Sequence, residues 1–317
     1  MSAPILIDVT RPRRIGFLGP PGTFGEEALL SQPDLVDDEL VPMASHADVL
    51  AATASGEVDL GFVGLENSIE GTVRSVLDQL VFDVDLLIQR EVVLPITQNL
   101  LAPPGIGLAD VARVVSFPDA MEQCRAFFAR ELPAVELVAA NSTAEAVRLV
   151  AEERPPGTAA VGTALAAKLY GLDVVAPGIE DHPDNSTRFV LLAREGIPAP
   201  TGHDKTSLAL FQLADRPGNL HLISAQFAAR DLNLTKFESR PTKKSLGDYC
   251  FIIDCVGHVA DELVADCLKN LRVDVGEVKF LGSYPAAGEQ GDSLRREAEA
   301  AWREAEAWIA RLRRSVR

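Results

Sequence analysis

Four polar segments carry the residue types that chemistry on a small organic acid would need. Asp184-Asn185-Ser186-Thr187-Arg188-Phe189 sets a hydroxyl beside a fixed positive charge, directly before an apolar run. An arginine in that place offers a planar fork that grips a carboxylate with two parallel hydrogen bonds, although it would serve equally as half of a surface ion pair. Gly19-Pro20-Pro21-Gly22-Thr23-Phe24-Gly25-Glu26 and Asn141-Ser142-Thr143-Ala144-Glu145 both read as helix starts, because Thr23 with Glu26, and Ser142 with Glu145, have capping-box spacing. A helix start keeps unpaired N–H groups and the positive end of the helix dipole, and both favour anions. Glu66-Asn67-Ser68-Ile69-Glu70-Gly71-Thr72 is a third polar turn. Each of these three also works as an ordinary cap or turn. Three in one α/β region point to a shared anion cleft.

Other chemistries lack their residues. The chain has no GxGxxG, GxxxxGK[ST] or GxSxG run. His46, His182, His203, His221 and His258 are scattered, without zinc spacing. His182 lies near the Thr187 segment and either faces the cleft or sits at the surface. Cys124, Cys250, Cys255 and Cys267 form no CxxC pair and read as small core residues. No metal and no cofactor is therefore expected. The net charge of −16 argues against a nucleic-acid partner, whose phosphates demand basic stripes. It does not argue against a small anionic ligand held by a few aimed donors. No apolar run reaches the ~18 residues of a membrane helix. The start, MSAPILIDVTRPRR, lacks the order of a signal peptide, so a cytoplasmic protein is expected.

The elements that must position these residues alternate. Strands are expected at Arg14–Leu18, Val58–Val63, Val111–Phe117, Val135–Ala140, Thr158–Val161 and Arg188–Ala193, most of them followed by a helical pattern. That rhythm predicts an α/β region with largely parallel sheets over about 200 residues. Gly196–Asp204 is a Pro/Gly-rich linker. Beyond it the pattern becomes strand 206–213, helix 217–230, strands 232–238 and 249–256, helix 260–271 and strand 275–281. This is βαββαβ, the ferredoxin-like order. The end, Asp292–Arg317, is charged and helical, with Leu294, Ala298, Ala301, Ala305, Trp308 and Leu312 at four-three spacing. Trp308 and Leu312 are expected to be buried, on the chain's own body or on a second subunit.

Taken together, these residues resemble the prephenate dehydratase family with an ACT regulatory domain, from about Ile15 to Pro285. Gly19–Phe24 looks like the family's first glycine loop, and Glu66-Asn67-Ser68 with Gly71 like its ENSxxG turn. Ser142-Thr143-Ala144-Glu145 looks like its STAEA helix start. Thr187-Arg188-Phe189 matches its TRF signature, whose threonine is regarded as catalytic. Arg216-Pro217-Gly218-Asn219-Leu220 is similar to the GAL loop of the ACT domain, and Glu238-Ser239-Arg240-Pro241 to its ESRP motif.

The resemblance implies a two-lobed catalytic region like the type II periplasmic binding proteins over residues 1–199. The chain would cross between lobes near 88–93 and 175–178. An ACT domain over 205–286 and a helical tail over 287–317 would follow. With no chorismate mutase segment, it implies the single-activity form. The implied reaction converts prephenate to phenylpyruvate with loss of water and CO2. The implied effector is phenylalanine, held between paired ACT domains of a homodimer or homotetramer.

Thr187 would then serve the leaving hydroxyl, while Thr23, Asn67, Ser68, Ser142, Thr143, Arg188 and Phe189 would bind substrate. Gly218, Asn219, Leu220, Glu238, Ser239 and Arg240 would bind effector. The chain departs from the family's pattern at Gly25 (usually Ser or Thr), at Gly64-Leu65 before Glu66 (usually Pro-Ile) and at Asn219 (usually Ala). Gln98 and Phe117 stand where the family often has His. These departures keep arogenate dehydration and prephenate decarboxylation as alternatives on the same scaffold. A non-catalytic sensor is the alternative of another class.

Overall fold

The computed structural model describes residues 12–212, 216–243, 248–287, 307–311 and 313–314. Two compact units divide it. The first comprises Met1–Gln79 and Val92–Leu191, and the second Leu80–Glu91 and Leu192–Arg317.

Two sheets organise the first part of the chain. β1 (Arg14–Leu18), helix α1 (Phe24–Leu30), β2 (Glu39–Met43), α2 (His46–Ser55), β3 (Leu60–Asn67), the short β4 (Gly71–Thr72), α3 (Arg74–Phe82) and β5 (Leu87–Pro95) come first. The second sheet follows as β6 (Asn99–Ala102), β7 (Arg113–Ser116), α4 (Pro118–Glu122), α5 (Arg125–Glu131), β8 (Glu136–Ala139), α6 (Thr143–Glu153), β9 (Thr158–Gly162), α7 (Ala164–Tyr170) and β10 (Asp173–Ala176). β11 (Ser186–Ala193) then returns to the first sheet. The orders are β2-β1-β3-β11-β5 and β10-β6-β9-β7-β8. Each sets one strand between two parallel neighbours: β1 between β2 and β3, β7 between β8 and β9. The chain leaves the first sheet over residues 96–98 and returns over 177–185. The segment expected to cross at 88–93 is instead part of a strand of the first sheet, and the return extends beyond 175–178.

Period-two burial explains the second sheet. Leu100, Ala102, Ala159 and Val161 pack on one side with Ala120, Met121, Cys124 and Phe128 of the α4–α5 stretch. Leu101 and Ala160 pack on the other with Ala146, Val147 and Val150 of α6 and Ala166 and Ala167 of α7. Both faces are covered, so these strands read as continuous apolar runs rather than as alternation.

The second unit carries β12 (Asp204–Gln212), α8 (Asn219–Ala228), β13 (Leu234–Pro241), β14 (Tyr249–Val256), α9 (Glu262–Asp274) and β15 (Gly276–Pro285). The antiparallel order β13-β14-β12-β15 is the ferredoxin-like arrangement. Leu208, Leu210, Phe251, Ile253 and Cys255 face Ile223, Phe227, Cys267 and Leu271 of the two helices. In the tail, Trp308 is 52% exposed within the chain, so of the two expected covering surfaces its own body is not the one. Leu312 and the other seam residues, Leu294, Ala298, Ala301 and Ala305, lie outside the described residues.

Candidate active site

Asn67 is the centre of the polar cluster at the end of β3. Its Oδ1 accepts from the backbone N–H groups of Ile69 (2.9 Å) and Glu70 (3.0 Å), an Asx turn that fixes the side chain on its own loop. Its Nδ2 therefore points across to β11, donating to Asn185 Oδ1 at 2.8 Å and to Thr187 Oγ1 at 2.9 Å. Ser68 closes the same junction. Its N–H donates to Ser186 O (2.9 Å), and its hydroxyl accepts from Ser186 N–H (3.0 Å). The turn and the TRF strand, more than a hundred residues apart, thus form one unit around Thr187.

A second layer of amides ties this unit to the other sheet. Asn185 is buried and donates to Gln123 Oε1 at 3.2 Å. Gln123 donates to Glu70 Oε1 at 3.3 Å, and Gln98 Nε2 lies 3.5 Å from Gln123 Oε1. Gln98 is 2% exposed and its Oε1 has no partner. Asn185, Gln123, Gln98 and Glu70 were not among the expected site residues. Glu70 and Asn185 stood in segments already singled out, but Gln123, on a helix end, carried no local signal.

Strand alternation sorts the TRF residues onto two faces. Thr187 and Phe189 share one. A Cβ on Gly64 would lie 3.8 Å from Thr187 Cγ2 and 3.6 Å from the Phe189 ring. One on Gly25 would lie 3.6 Å from Thr23 Oγ1 and 3.8 Å from the same ring. Thr23, Gly25, Gly64, Thr187 and Phe189 are therefore neighbours. Phe189 is buried and stacks on Phe62 with centroids 5.3 Å apart, so it supports the site as packing instead of meeting substrate as expected. Arg188 takes the opposite face. It lies 3.7 Å from Glu66 Oε2 and lines a cavity of about 330 Å³ with Glu66, Ser68, Ile69, Val93 and Ser186.

The two predicted helix starts form, each with a shift of one residue. Thr23 Oγ1 accepts from Glu26 N–H and donates to Leu18 O, while the Glu26 carboxylate accepts from Gly22 N–H. Ser142 Oγ accepts from Glu145 N–H at 3.1 Å, and Glu145 accepts from Asn141 N–H at 3.1 Å. Both carboxylates thus cap the residue before the N-cap. The Thr23 hydroxyl is committed on both sides to its own loop, which leaves backbone N–H groups as what this end offers an anion. Thr143 occupies the first position of α6. The first glycine loop also meets the other lobe: Thr163 donates to Gly22 O (2.8 Å) and Tyr170 to Pro21 O (2.9 Å). His182 is exposed. Burial, with the charges of Asp181 and Glu180, raises the Cys124 thiol well above its ordinary range, so this nearby sulfur is not a nucleophile at neutral pH.

The second unit holds its own cavity of about 480 Å³, lined by Gln212, Arg216, Gly218, Asn219, Leu220, Phe237, Ser239, Tyr249 and Phe251. Gly218 caps α8 at φ +90°, a conformation that side-chain-bearing residues rarely adopt. Asn219 Nδ2 donates to Gln212 Oε1, joining the helix start to the end of β12. β13 alternates half-buried and exposed residues, and Phe237 and Ser239, on one face, line the cavity. Glu238 and Arg240, expected at an effector held between paired domains, take the other face of the strand, where Glu238 lies 3.4 Å from Lys236 and 4.0 Å from Arg240. The cavity's aromatic residues, Phe237, Tyr249 and Phe251, and the adjacent Arg216 were not expected. The same alternation would have shown Phe237 two places before Ser239.

A family model described as prephenate dehydratase matches residues 15–197. Prephenate dehydratase of Mycobacterium tuberculosis is 41% identical over 312 residues, 95% of this chain and 94% of the relative. A crystal structure of prephenate dehydratase from Arthrobacter aurescens in complex with L-Phe has a TM-score of 0.85 and 38% identity, covering 95% of this chain and 99% of that one. GqqA, described as a quorum-quenching acylase, has a TM-score of 0.76 and 30% identity, covering 87% of this chain and 98% of its own. A family match over more than half the chain, joined to relatives matched over nearly its full length, places the protein: it belongs to the prephenate dehydratase family.

Proposed function

We propose that the chain converts prephenate to phenylpyruvate, water and CO2 around Thr187, and that its C-terminal unit is an ACT domain whose cavity takes phenylalanine. The observation that carries the catalytic half is the bond from Asn67 to Thr187. Asn67 Nδ2 donates to Thr187 Oγ1, so one lone pair of the hydroxyl is occupied and its hydrogen is left to be donated outward. The reaction needs such a donor. As the C–C bond to the ring carboxylate breaks and CO2 leaves, its electron pair enters the ring, and the hydroxyl at the opposite ring carbon must depart as water. A hydrogen bond that strengthens as that oxygen gains charge lowers the barrier selectively. The backbone N–H groups beside Thr23 and at Ser142–Thr143, and the Arg188 guanidinium on its own face, are the groups available for the carboxylates. Ser68 holds the turn.

For the effector half, the A. aurescens relative was solved with L-Phe. The C-terminal cavity here pairs aromatic walls with Arg216 and the backbone of Gly218, a combination suited to an aromatic amino acid. Assembly as a homodimer or homotetramer and a cytoplasmic location complete the reading. Among the described residues no helix is long and apolar enough to cross a membrane.

Incubation with prephenate is the test. Phenylpyruvate as product supports the reading. Release of CO2 without an aromatic product indicates decarboxylation alone, turnover of arogenate but not prephenate indicates the other dehydratase, and no turnover of either indicates a sensor.

A further inference from the structure

The C-terminal unit grips the strand that leads into the candidate site. The Glu91 carboxylate, on β5, is 1% exposed. It accepts from Lys205 Nζ at 2.8 and 3.1 Å and from the backbone N–H of Ala287 at 2.9 Å. Lys205 stands on β12, and Ala287 lies just past β15. Nearby, β15 meets β5 backbone to backbone: a Cβ on Gly282 would come within 2.6 Å of Ile88 O and 2.9 Å of Ile88 N, so only glycine fits. Gly282, at φ +141°, sits where the pairing of β15 with β12 shifts register. Lys279 donates to Val84 O at 2.7 Å. These contacts explain why Leu80–Glu91 belongs with the C-terminal sheet although the chain places it between elements of the catalytic region.

The same strands continue towards both cavities. β12 runs from Lys205 to Gln212, which lines the C-terminal cavity and accepts from Asn219. β5 runs on from Glu91 to Val93, which lines the Arg188 cavity. Just beyond β5, Ile96 N–H donates to Asn185 O at 2.8 Å. Asn185 in turn accepts from Asn67, the residue that holds Thr187.

We propose that Glu91 and Lys205 are a positioning pair that sets the placement of β5, and through it of Asn185 and Thr187, and that phenylalanine acts on the reaction through this pair. The proposal rests on the reading of the C-terminal cavity as an effector site. A buried carboxylate is tolerated only with its charge partner in place. A strand held in this way does not slide gradually, because a shift of one residue would expose Glu91 and bury a neighbour of the wrong kind. Movement of β12 on ligand binding would therefore carry β5 with it or break the pair, and either gives two discrete arrangements that a ligand can favour unequally.

The test uses the full chain with the neutral pair Glu91→Gln/Lys205→Met, and Lys205→Arg as the conservative variant. Phenylalanine binding is followed by calorimetry, folding by thermal melts, and kcat and KM are measured with and without phenylalanine. The neutral pair should still bind phenylalanine while the effect of phenylalanine on rate falls to about none. Lys205→Arg, which keeps a cation opposite Glu91, should keep the response. A folded neutral pair that responds like the parent overturns the proposal and leaves the effector reading intact. A parent that binds no phenylalanine overturns both. If the neutral pair does not fold, Glu91→Asp, which keeps the charge on a shorter arm, should weaken the response, and a parental response in that variant overturns the proposal.

Discussion

At the scale of single residues, the site depends on one hydroxyl held from behind. Thr187→Ala removes the acceptor of the Asn67 bond, a structural loss of about 1 kcal/mol. If the hydroxyl donates to the departing oxygen only in the transition state, kcat should fall by roughly 10²-fold with KM little changed. Phenylpyruvate formation, with melts as control, decides it, and a near-parental kcat removes Thr187 from the mechanism. The sequence marked Thr187, Asn67 and Ser68 because they stand in polar turns beside apolar strands. It did not mark Gln123 or Gln98, whose only claim is spatial, nor reveal that the Thr23 hydroxyl is consumed by its own loop. His46 supplies a separate residue-level expectation. Burial lowers its pKa, so the folded state prefers the neutral ring. The stability this contributes is present above the unfolded pKa of ~6.5 and is lost as the pH falls towards the folded value. His46→Gln should therefore flatten the drop in melting temperature between about pH 7.5 and 5.5. An unchanged drop would mean that other groups set the acid sensitivity.

At the scale of elements, period-two alternation decides which residues of a motif act. β11 sends Thr187 and Arg188 to opposite faces, and β13 does the same with Ser239 and Arg240. Motif reading treats adjacent letters as companions, and in a strand they are not. The prediction follows from geometry. Ser239→Leu fills the C-terminal cavity and should weaken phenylalanine binding roughly tenfold, as overpacking by about 1–3 kcal/mol would. Arg240→Gln, on the other face, should change it much less. Calorimetry that finds the reverse order would place the ligand on the Arg240 face. The strands legible in the sequence, such as Arg14–Leu18 and Tyr249–Val256, are apolar and buried on most of their length. Glu39–Met43 was missed because no residue in it is fully buried, and Leu87–Pro95 because charged Arg90 and Glu91 interrupt its apolar pattern. Glu91 reads as a solvent-facing residue in one dimension. Only Lys205, more than a hundred positions later, shows why it is inside.

At the scale of the whole molecule, the fold joins pieces that the sequence keeps apart. β11 returns to a sheet begun with β1, and Leu80–Glu91 packs with the C-terminal sheet. The net charge of −16 is also a property of the whole, and it opposes a substrate with two carboxylates. The local donors near Thr187 act over a few ångströms, whereas the surrounding negative field reaches about 30 Å at 0.01 M ionic strength and only about 8 Å at 0.15 M. Approach of prephenate should therefore be hindered at low salt and relieved as salt is added. kcat/KM for prephenate is expected to rise between about 0.01 and 0.15 M ionic strength, mainly through KM, because screening changes the encounter more than the chemical step inside the cleft. Steady-state rates in sodium chloride, with a salt-matched thermal melt, test this. A fall in kcat/KM over the same range would show that local positive groups, Arg188 in its own cavity among them, outweigh the charge of the molecule at the distance where the substrate is captured.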